Sequence, residues 1–235
     1  MIVILGLDGL EYEYVKEFNC KNLMQEKFGK TDISMFSEPR TIVIWSSFLA
    51  GKNLEKEILG KGKELWDFSL KPEQTFLARF KRWKVIDMPG LNYKKENHQK
   101  ERELLKGFFD KKNSVEDYDK VAFENHKENK KEFFEALEKD YEILVGYFAL
   151  ADVIGHLSFG IKPKMKVIYK ELDEIAGKVR EKAEKVLIIS DHGMKAIGRF
   201  GDHSEYGFWS VNFEVNLDKP KITEFRRLIE SFTRV

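Results

Sequence analysis

Six residues of the types that ligate transition metals fall in four separated stretches of the chain: Asp8, Asp152 with His156, Asp191 with His192, and His203. Imidazole and carboxylate together suit zinc, and also accept manganese or iron. Taken singly, each has an ordinary reading. Asp8-Gly9-Leu10-Glu11 is close to an N-terminal capping box. Asp152 and His156 stand four residues apart, as a polar pair on one helix face would. Asp191-His192-Gly193 fits a turn, and His203 alone fits a surface position. Jointly these readings weaken, because three of the five histidines fall just past expected strands, each near an acidic residue. The other two, His98 and His126, lie in charged helical sequence and read as solvent-exposed.

Residues 2–7 (IVILGL), 142–150 (EILVGYFAL) and 185–190 (KVLIIS) are continuous apolar runs rich in β-branched residues. Such runs suit parallel strands buried on both faces. Residues 84–88 form a shorter fourth candidate, and 208–215 alternate more, as an edge or antiparallel strand does. Helical sequence lies between them. Residues 41–50 are apolar and stop at Gly51, and 72–82 open on a proline suited to a first helical turn. Residues 114–139, 163–185 and 223–232 are further helical stretches, the first two charged with apolar residues at helical spacing. Strands alternating with helices predict a single three-layer α/β/α sandwich over 1–235 with a mostly parallel central sheet. Open α/β sheets bind ligands beyond the carboxyl ends of their strands, where Asp8, Asp152, His156, Asp191 and His192 stand. Residues 93–140 differ in character, highly charged with a buried face of Phe, Val and Leu. They read as a helical insertion, either a cap over one side of the site or a coat on the sheet.

The chain has 235 residues, 42% hydrophobic and 13% aromatic, which is enough for a sizeable core. A net charge of +1 gives no global pull toward a nucleic-acid polymer or an anionic membrane. Cys20 is the single cysteine, so no intrachain disulfide forms, and it reads as a buried thiol. The first apolar run is too short for a signal segment and no run reaches membrane-span length, so a soluble cytoplasmic protein is expected. Abundant Lys and Glu with scarce Gln is the composition of thermophile proteins.

The order of motifs is specific. Asp8-Gly9 comes first, then Thr41 opening a helix that ends in Ala50-Gly51. Asp152-x-x-Gly155-His156 follows, then Ser190-Asp191-His192-Gly193-Met194, then His203 with Gly207 beyond it. This order resembles the type I phosphodiesterase/nucleotide pyrophosphatase branch of the alkaline phosphatase superfamily, as motif islands from residue 8 to about 212. The resemblance implies two divalent ions, zinc foremost. Asp152, His156 and His203 would hold one; Asp8, Asp191 and His192, completed by the Thr41 oxygen, would hold the other. Three carboxylates and a Thr41 alkoxide balance the charge of two such ions.

The resemblance further implies that Thr41 is a nucleophile forming a covalent phospho-threonine, although an ordinary helix N-cap is compatible with that role. Ser46 and Ser47 read as packing residues. The implied activity is hydrolysis of a phosphodiester or pyrophosphate bond in a small-molecule, nucleotide-type phosphate ester. A phosphomonoesterase or phosphomutase on the same fold is the nearest alternative, and a non-catalytic metal-binding protein is one of another class. Sulfatases of the superfamily place their reactive residue in C/S-x-P-x-R, which Asn19-Cys20-Lys21-Asn22 does not match. Family diesterases also carry an asparagine beyond the nucleophile's helix. Here 58–63 read Ile-Leu-Gly-Lys-Gly-Lys, leaving Lys61 or Lys63 as substitutes. Trp45, Phe208 and Trp209 are candidates for a leaving-group wall, with core packing as their ordinary role. Arg40 is a candidate cation beside Thr41.

Overall fold

Ile2–Leu7 forms the first strand, β1, whose side chains alternate between two cores. Val3, Leu5 and Leu7 enter one, and Ile4 enters the other. This period of two is what a strand buried on both faces requires. The computed structural model describes residues 1–233.

After β1 come α1 (Tyr12–Glu17), α2 (Lys21–Met24), β2 (Lys27–Asp32), α3 (Thr41–Ala50) and α4 (Glu55–Leu59). Then follow β3 (Trp83–Ile86), α5 (Lys95–Phe109), α6 (Val115–Leu137), β4 (Ile143–Phe148), α7 (Leu150–Ser158) and α8 (Lys162–Arg180). The chain continues through β5 (Lys185–Ile189), β6 (Met194–Ile197), β7 (Phe200–His203), β8 (Tyr206–Val211) and α9 (Phe225–Ser231).

Six strands make the central sheet in the order β2-β8-β5-β1-β4-β3. β3, β4, β1 and β5 run parallel; β8 is antiparallel to both β5 and β2. Helices α1, α2, α6, α7 and α8 cover one face with Val15, Leu23, Phe133, Leu157 and Leu172 among the buried residues. α3, α4 and α9 cover the other with Phe48, Ile58 and Phe225. The three-layer sandwich with a mostly parallel sheet is therefore the observed fold.

Several expected elements differ. Residues 72–82 do not form one helix but two short 3-10 turns, Pro72–Gln74 and Phe76–Arg79. Thr75 separates them, its hydroxyl donating to the Pro72 carbonyl and accepting from Leu77 N. Such local side-chain bonds compete with helix continuation. The strand at 208–215 begins earlier, at Tyr206, is antiparallel as its pattern suggested, and lies inside β2 rather than at the edge. β2 and the β6-β7 hairpin carry no apolar run and were not expected. His203 closes β7.

His98 and His126, read as exposed, are both buried. They face carboxylates from the bend after β3, from α5 itself and from α8. His98 Nδ1 and Nε2 lie 2.8 Å from Glu101 and Asp87, and His126 Nε2 lies 3.1 Å from Glu171. Trp45, Phe208 and Trp209 are core residues, each 3% exposed or less, and none lines the cavity described below. Cys20 is fully buried, and burial pushes its thiol up to about 12.

Candidate active site

The carboxyl ends of β1, β4 and β5 lie side by side, because β1 pairs with both of the others. Asp8 follows β1 directly, its N–H still bonded to the Phe148 carbonyl at the end of β4. Asp152 and His156 lie on α7, which starts two residues past β4 and so puts both side chains on one face. Asp191 and His192 follow β5, and the β6-β7 hairpin turns the chain back so that His203 reaches the same place. Thr41 is the first residue of α3 and is half-buried in the cavity wall.

Two glycines of these motifs are there for space. Gly9 has φ +66°, and a Cβ on it would stand 2.8 Å from the Asp152 Cα and Cβ. A Cβ on Gly155 would meet the Met194 sulfur at 2.2 Å, so the hairpin can press against α7 only with glycine there.

The distances between donors are informative. His156 Nε2 lies 3.3 Å from Asp152 Oδ2, and His203 Nε2 3.4 Å from Asp152 Oδ1. His192 Nε2 lies 3.4 Å from Asp8 Oδ1 and 3.3 Å from Asp191 Oδ2. Donors about 2.05 Å from a tetrahedral zinc stand about 3.3 Å from one another. Asp152, His156 and His203 each offer an atom within 4.8 Å of the others, and so do Asp8, Asp152 and His192, so Asp152 stands between the two groups. Asp8 Oδ1, Asp152 Oδ1, Asp191 Oδ2, His192 Nε2 and His203 Nε2 are buried with no hydrogen-bond partner among the described residues. Buried polar atoms left unpaired are costly, and five converging on one spot fit a site shaped for cations.

The surrounding bonds aim these donors. His192 Nδ1 donates to the Gly193 carbonyl at 3.0 Å, and His203 Nδ1 to the Pro39 carbonyl at 2.8 Å. Each bond leaves the Nε2 lone pair facing the site. Asp8 accepts from the buried Tyr147 hydroxyl, and Asp191 Oδ1 from the Gly9 N–H at 3.4 Å. Ser190 holds the turn by donating to the His192 carbonyl and accepting from Leu10 N. Buried Glu11 accepts from Met194 N and from the Tyr206 hydroxyl, tying the hairpin to the end of β1.

Electrostatics point the same way. Burial, followed by the Asp191 and Asp152 charges, pushes Asp8 well above the usual carboxylate range. Burial and Asp152 push Asp191 up to about 7. Burial works against charge on Asp152 too, but His156 and His203 outweigh it and hold Asp152 well below its ordinary value. Burial likewise opposes the His203 imidazolium, yet Asp152 carries it up to about 9, and His156 is raised by the same carboxylate. Burial and the His203 charge push His192 down to about 4. Without cations the three carboxylates cannot all stay ionised; the donor set fits divalent ions, whose charge would remove that conflict.

The cavity over these residues has a volume of about 150 Å³. Thr41, Asp8, Asp152, His156 and His203 line one side. Trp66, Tyr93, His98, Arg102 and Tyr118 line another, together with Tyr147, and the sequence motifs did not single out any of these six as site residues. Aromatic residues and an arginine carry no spacing signature, so only the fold brings them here. Arg40, Lys61 and Lys63 are exposed and line none of it; Arg40 pairs with Glu38 at 2.7 Å. No side chain caps α3, and Asp8 caps no helix, since Glu11 is the N-cap of α1.

Among solved structures, murine ectonucleotide pyrophosphatase/phosphodiesterase 5 aligns with a TM-score of 0.46 at 13% identity, over 84% of this chain and 58% of its own. The human form of that protein gives 0.44 at 14% identity, over 83% and 57%. Ps i-CgsB, solved in complex with k-i-k-neocarrahexaose, gives 0.51 at 9% identity, over 99% and 71%, which speaks to the fold. The chain thus spans a little over half the length of the ectonucleotide pyrophosphatases that it matches. No curated protein matches it in sequence. Residues 61–207, which include Asp152, His156, Asp191, His192 and His203, match the family described as type I phosphodiesterase/nucleotide pyrophosphatase. The match takes in well over half of the sequence, and the chain belongs to that family.

Proposed function

We propose that the protein is a metal-dependent hydrolase that cleaves a phosphodiester or pyrophosphate bond in a small phosphate ester, with Thr41 as nucleophile. The observation that carries this reading is the set of unpaired buried donors on Asp8, Asp152, Asp191, His192 and His203, of which Asp8, Asp152 and His203 line the cavity that Thr41 also lines. Asp152, His156 and His203 would hold one divalent ion, and Asp8, Asp191 and His192 another, with zinc the first choice for this donor set. Ions bound there would favour the ionised Thr41 hydroxyl and offset charge on the phosphoryl oxygens.

The chain's own residues account for the rest. The uncapped start of α3 offers first-turn N–H groups to a phosphoryl oxygen next to Thr41. Thr41 Oγ1 loses its proton and bonds to phosphorus as the bond to the leaving oxygen breaks; water then cleaves the phospho-threonine. Buried Tyr147 fixes the Asp8 carboxylate from behind. Within residues 93–140, α5 acts as a cap in this reading, because His98, Glu101, Arg102 and Leu105 line the cavity together with Tyr93 just before the helix, while α6 coats the sheet and adds Tyr118 to the lining.

A diester is favoured over a monoester. A monoester dianion calls for an added cation beside the nucleophile, and Thr41 has none next to it in sequence, Arg102 of α5 being the cavity's free cation among the described residues. Ile42, Val43 and Ile44 are buried, and Arg40 is exposed on Glu38. The test compares bis-p-nitrophenyl phosphate with p-nitrophenyl phosphate under one metal condition, in wild type and Thr41→Ala. The expected result is a higher kcat/KM for the diester and loss of most turnover in Thr41→Ala, with Ser retaining part. A monoester preferred tenfold, or a fully active Thr41→Ala, would overturn the reading.

A further inference from the structure

In the wall of the cavity that Thr41 lines, three stacked rings and a guanidinium lie in contact. His98 and Tyr93 lie with ring centroids 4.2 Å apart and 6° between planes. Tyr93 and Trp66 follow at 5.8 Å and 19°, and the Arg102 guanidinium carbon sits 4.2 Å from the Trp66 ring centre. The row is anchored at its buried end. His98 is clamped between Asp87 and Glu101, which in turn accept from Asn129 and Asn125 of α6. Burial opposes charge on His98, but its two carboxylates carry it up to about 9, so it is an imidazolium at neutral pH.

Two consequences follow for what the cavity can recognise. Tyr93 stacks with both His98 and Trp66, and the Arg102 guanidinium lies over the Trp66 ring, so each ring already has partners within the wall. Arg102, at the free end, is half-buried, lines the cavity, and makes no ion pair or hydrogen bond among the described residues. A guanidinium over an indole with no ion pair of its own has N–H groups left for a carboxylate or phosphate, which it can receive through two parallel bonds. The cavity volume of about 150 Å³ suits a short arm beyond the reacting phosphoryl.

We propose that Arg102 is the residue that sets substrate specificity, by binding a second anionic group, a carboxylate or phosphate, on a short arm of the phosphodiester. This rests on the phosphodiesterase reading above. The substrate class is then a compact diester carrying a charge remote from the reacting phosphorus. The four-group stack holds the guanidinium in place before the substrate arrives.

The test uses full-length enzyme with bound metal and a matched series of p-nitrophenyl phosphodiesters. The second arm is an n-alkyl chain of two to six carbons, or the same chain ending in carboxylate or in phosphate. The readout is the ratio of kcat/KM for each anionic member to its alkyl match, which cancels any general loss of fold or metal. In wild type this ratio should reach about tenfold to a hundredfold for at least one arm length, as a charge-assisted bidentate bond allows. In Arg102→Ala and Arg102→Gln it should fall to about one; Arg102→Lys should keep part of it through KM. A wild-type ratio near one at every length, or a ratio that Arg102→Ala leaves unchanged, overturns the inference. If wild type cleaves the alkyl diesters but prefers none of the anionic ones, the Arg102 assignment alone falls. If it cleaves no diester at all, the function proposed above falls first and takes this inference with it.

Discussion

His98 lets the anchoring of the site wall be measured as a free energy. It is 4% exposed and sits 2.8 Å from both Asp87 and Glu101. Its folded-state value of about 9 stands above the 6.5 of an unfolded chain. The folded protein therefore binds this proton more tightly than the unfolded chain does. The resulting stabilisation is complete below about pH 6.5 and drains away as pH rises through about 9. At 1.36 kcal/mol per unit, the displacement is worth about 3 kcal/mol. The perturbation is His98→Gln, which keeps polar contact with both carboxylates but carries no titrating charge. The assay is urea unfolding of both proteins, with saturating metal, at intervals between about pH 6 and pH 10. Titrating groups away from the Asp87–His98–Glu101 cluster are common to the two proteins and cancel. The gap in unfolding free energy should shrink by about 3 kcal/mol across that range. A pH-independent part reflecting the lost Tyr93 stack should remain. A gap that stays constant with pH would refute the reasoning, because folding would then hold the His98 proton no more tightly than the unfolded chain does.

Other outcomes follow from the donor cluster. His203 is carried up to about 9 and Asp191 to about 7 without a cation, so metal must displace protons as it binds. Zinc affinity should rise with pH through neutrality and level off above about pH 9. Calorimetry in two buffers of different ionisation enthalpy should detect proton release, and its absence would contradict the assignment. Gly9→Ala places a Cβ 2.8 Å from the Asp152 backbone at φ +66°. It should lower metal uptake and cost at least about 1 kcal/mol in urea unfolding. A variant that binds metal as wild type does would show that Asp152 is free to move.

The parts of the fold legible in sequence are those whose physics is local. β1, β4 and β5 are buried on both faces and so read as unbroken apolar runs, and their ends carry the Asp-Gly, Asp-x-x-Gly-His and Ser-Asp-His-Gly motifs. β2 was invisible because Lys27–Asp32 is a polar edge strand, held by pairing with β8 rather than by its own pattern. The β6-β7 hairpin is mostly exposed for the same reason. His98 and His126 looked solvated because their helices are charged, yet their carboxylate partners come from the bend after β3, from three residues along α5 and from α8. Tyr147, Tyr93, Trp66 and Arg102 come from separate segments and meet only in three dimensions. Trp45, Phe208 and Trp209 were candidates for the wall on size alone, and the core took all three.

The central claim is that Asp8, Asp152, His156, Asp191, His192 and His203 hold ions on which phosphodiester cleavage depends. It is tested most directly by stripping the protein with a chelator and titrating zinc back while following bis-p-nitrophenyl phosphate hydrolysis. The account predicts no hydrolysis in the stripped protein, and activity that rises with bound zinc to a plateau at two ions per chain. Full hydrolysis in the stripped protein, or zinc binding at these residues that never brings hydrolysis with it, would contradict it.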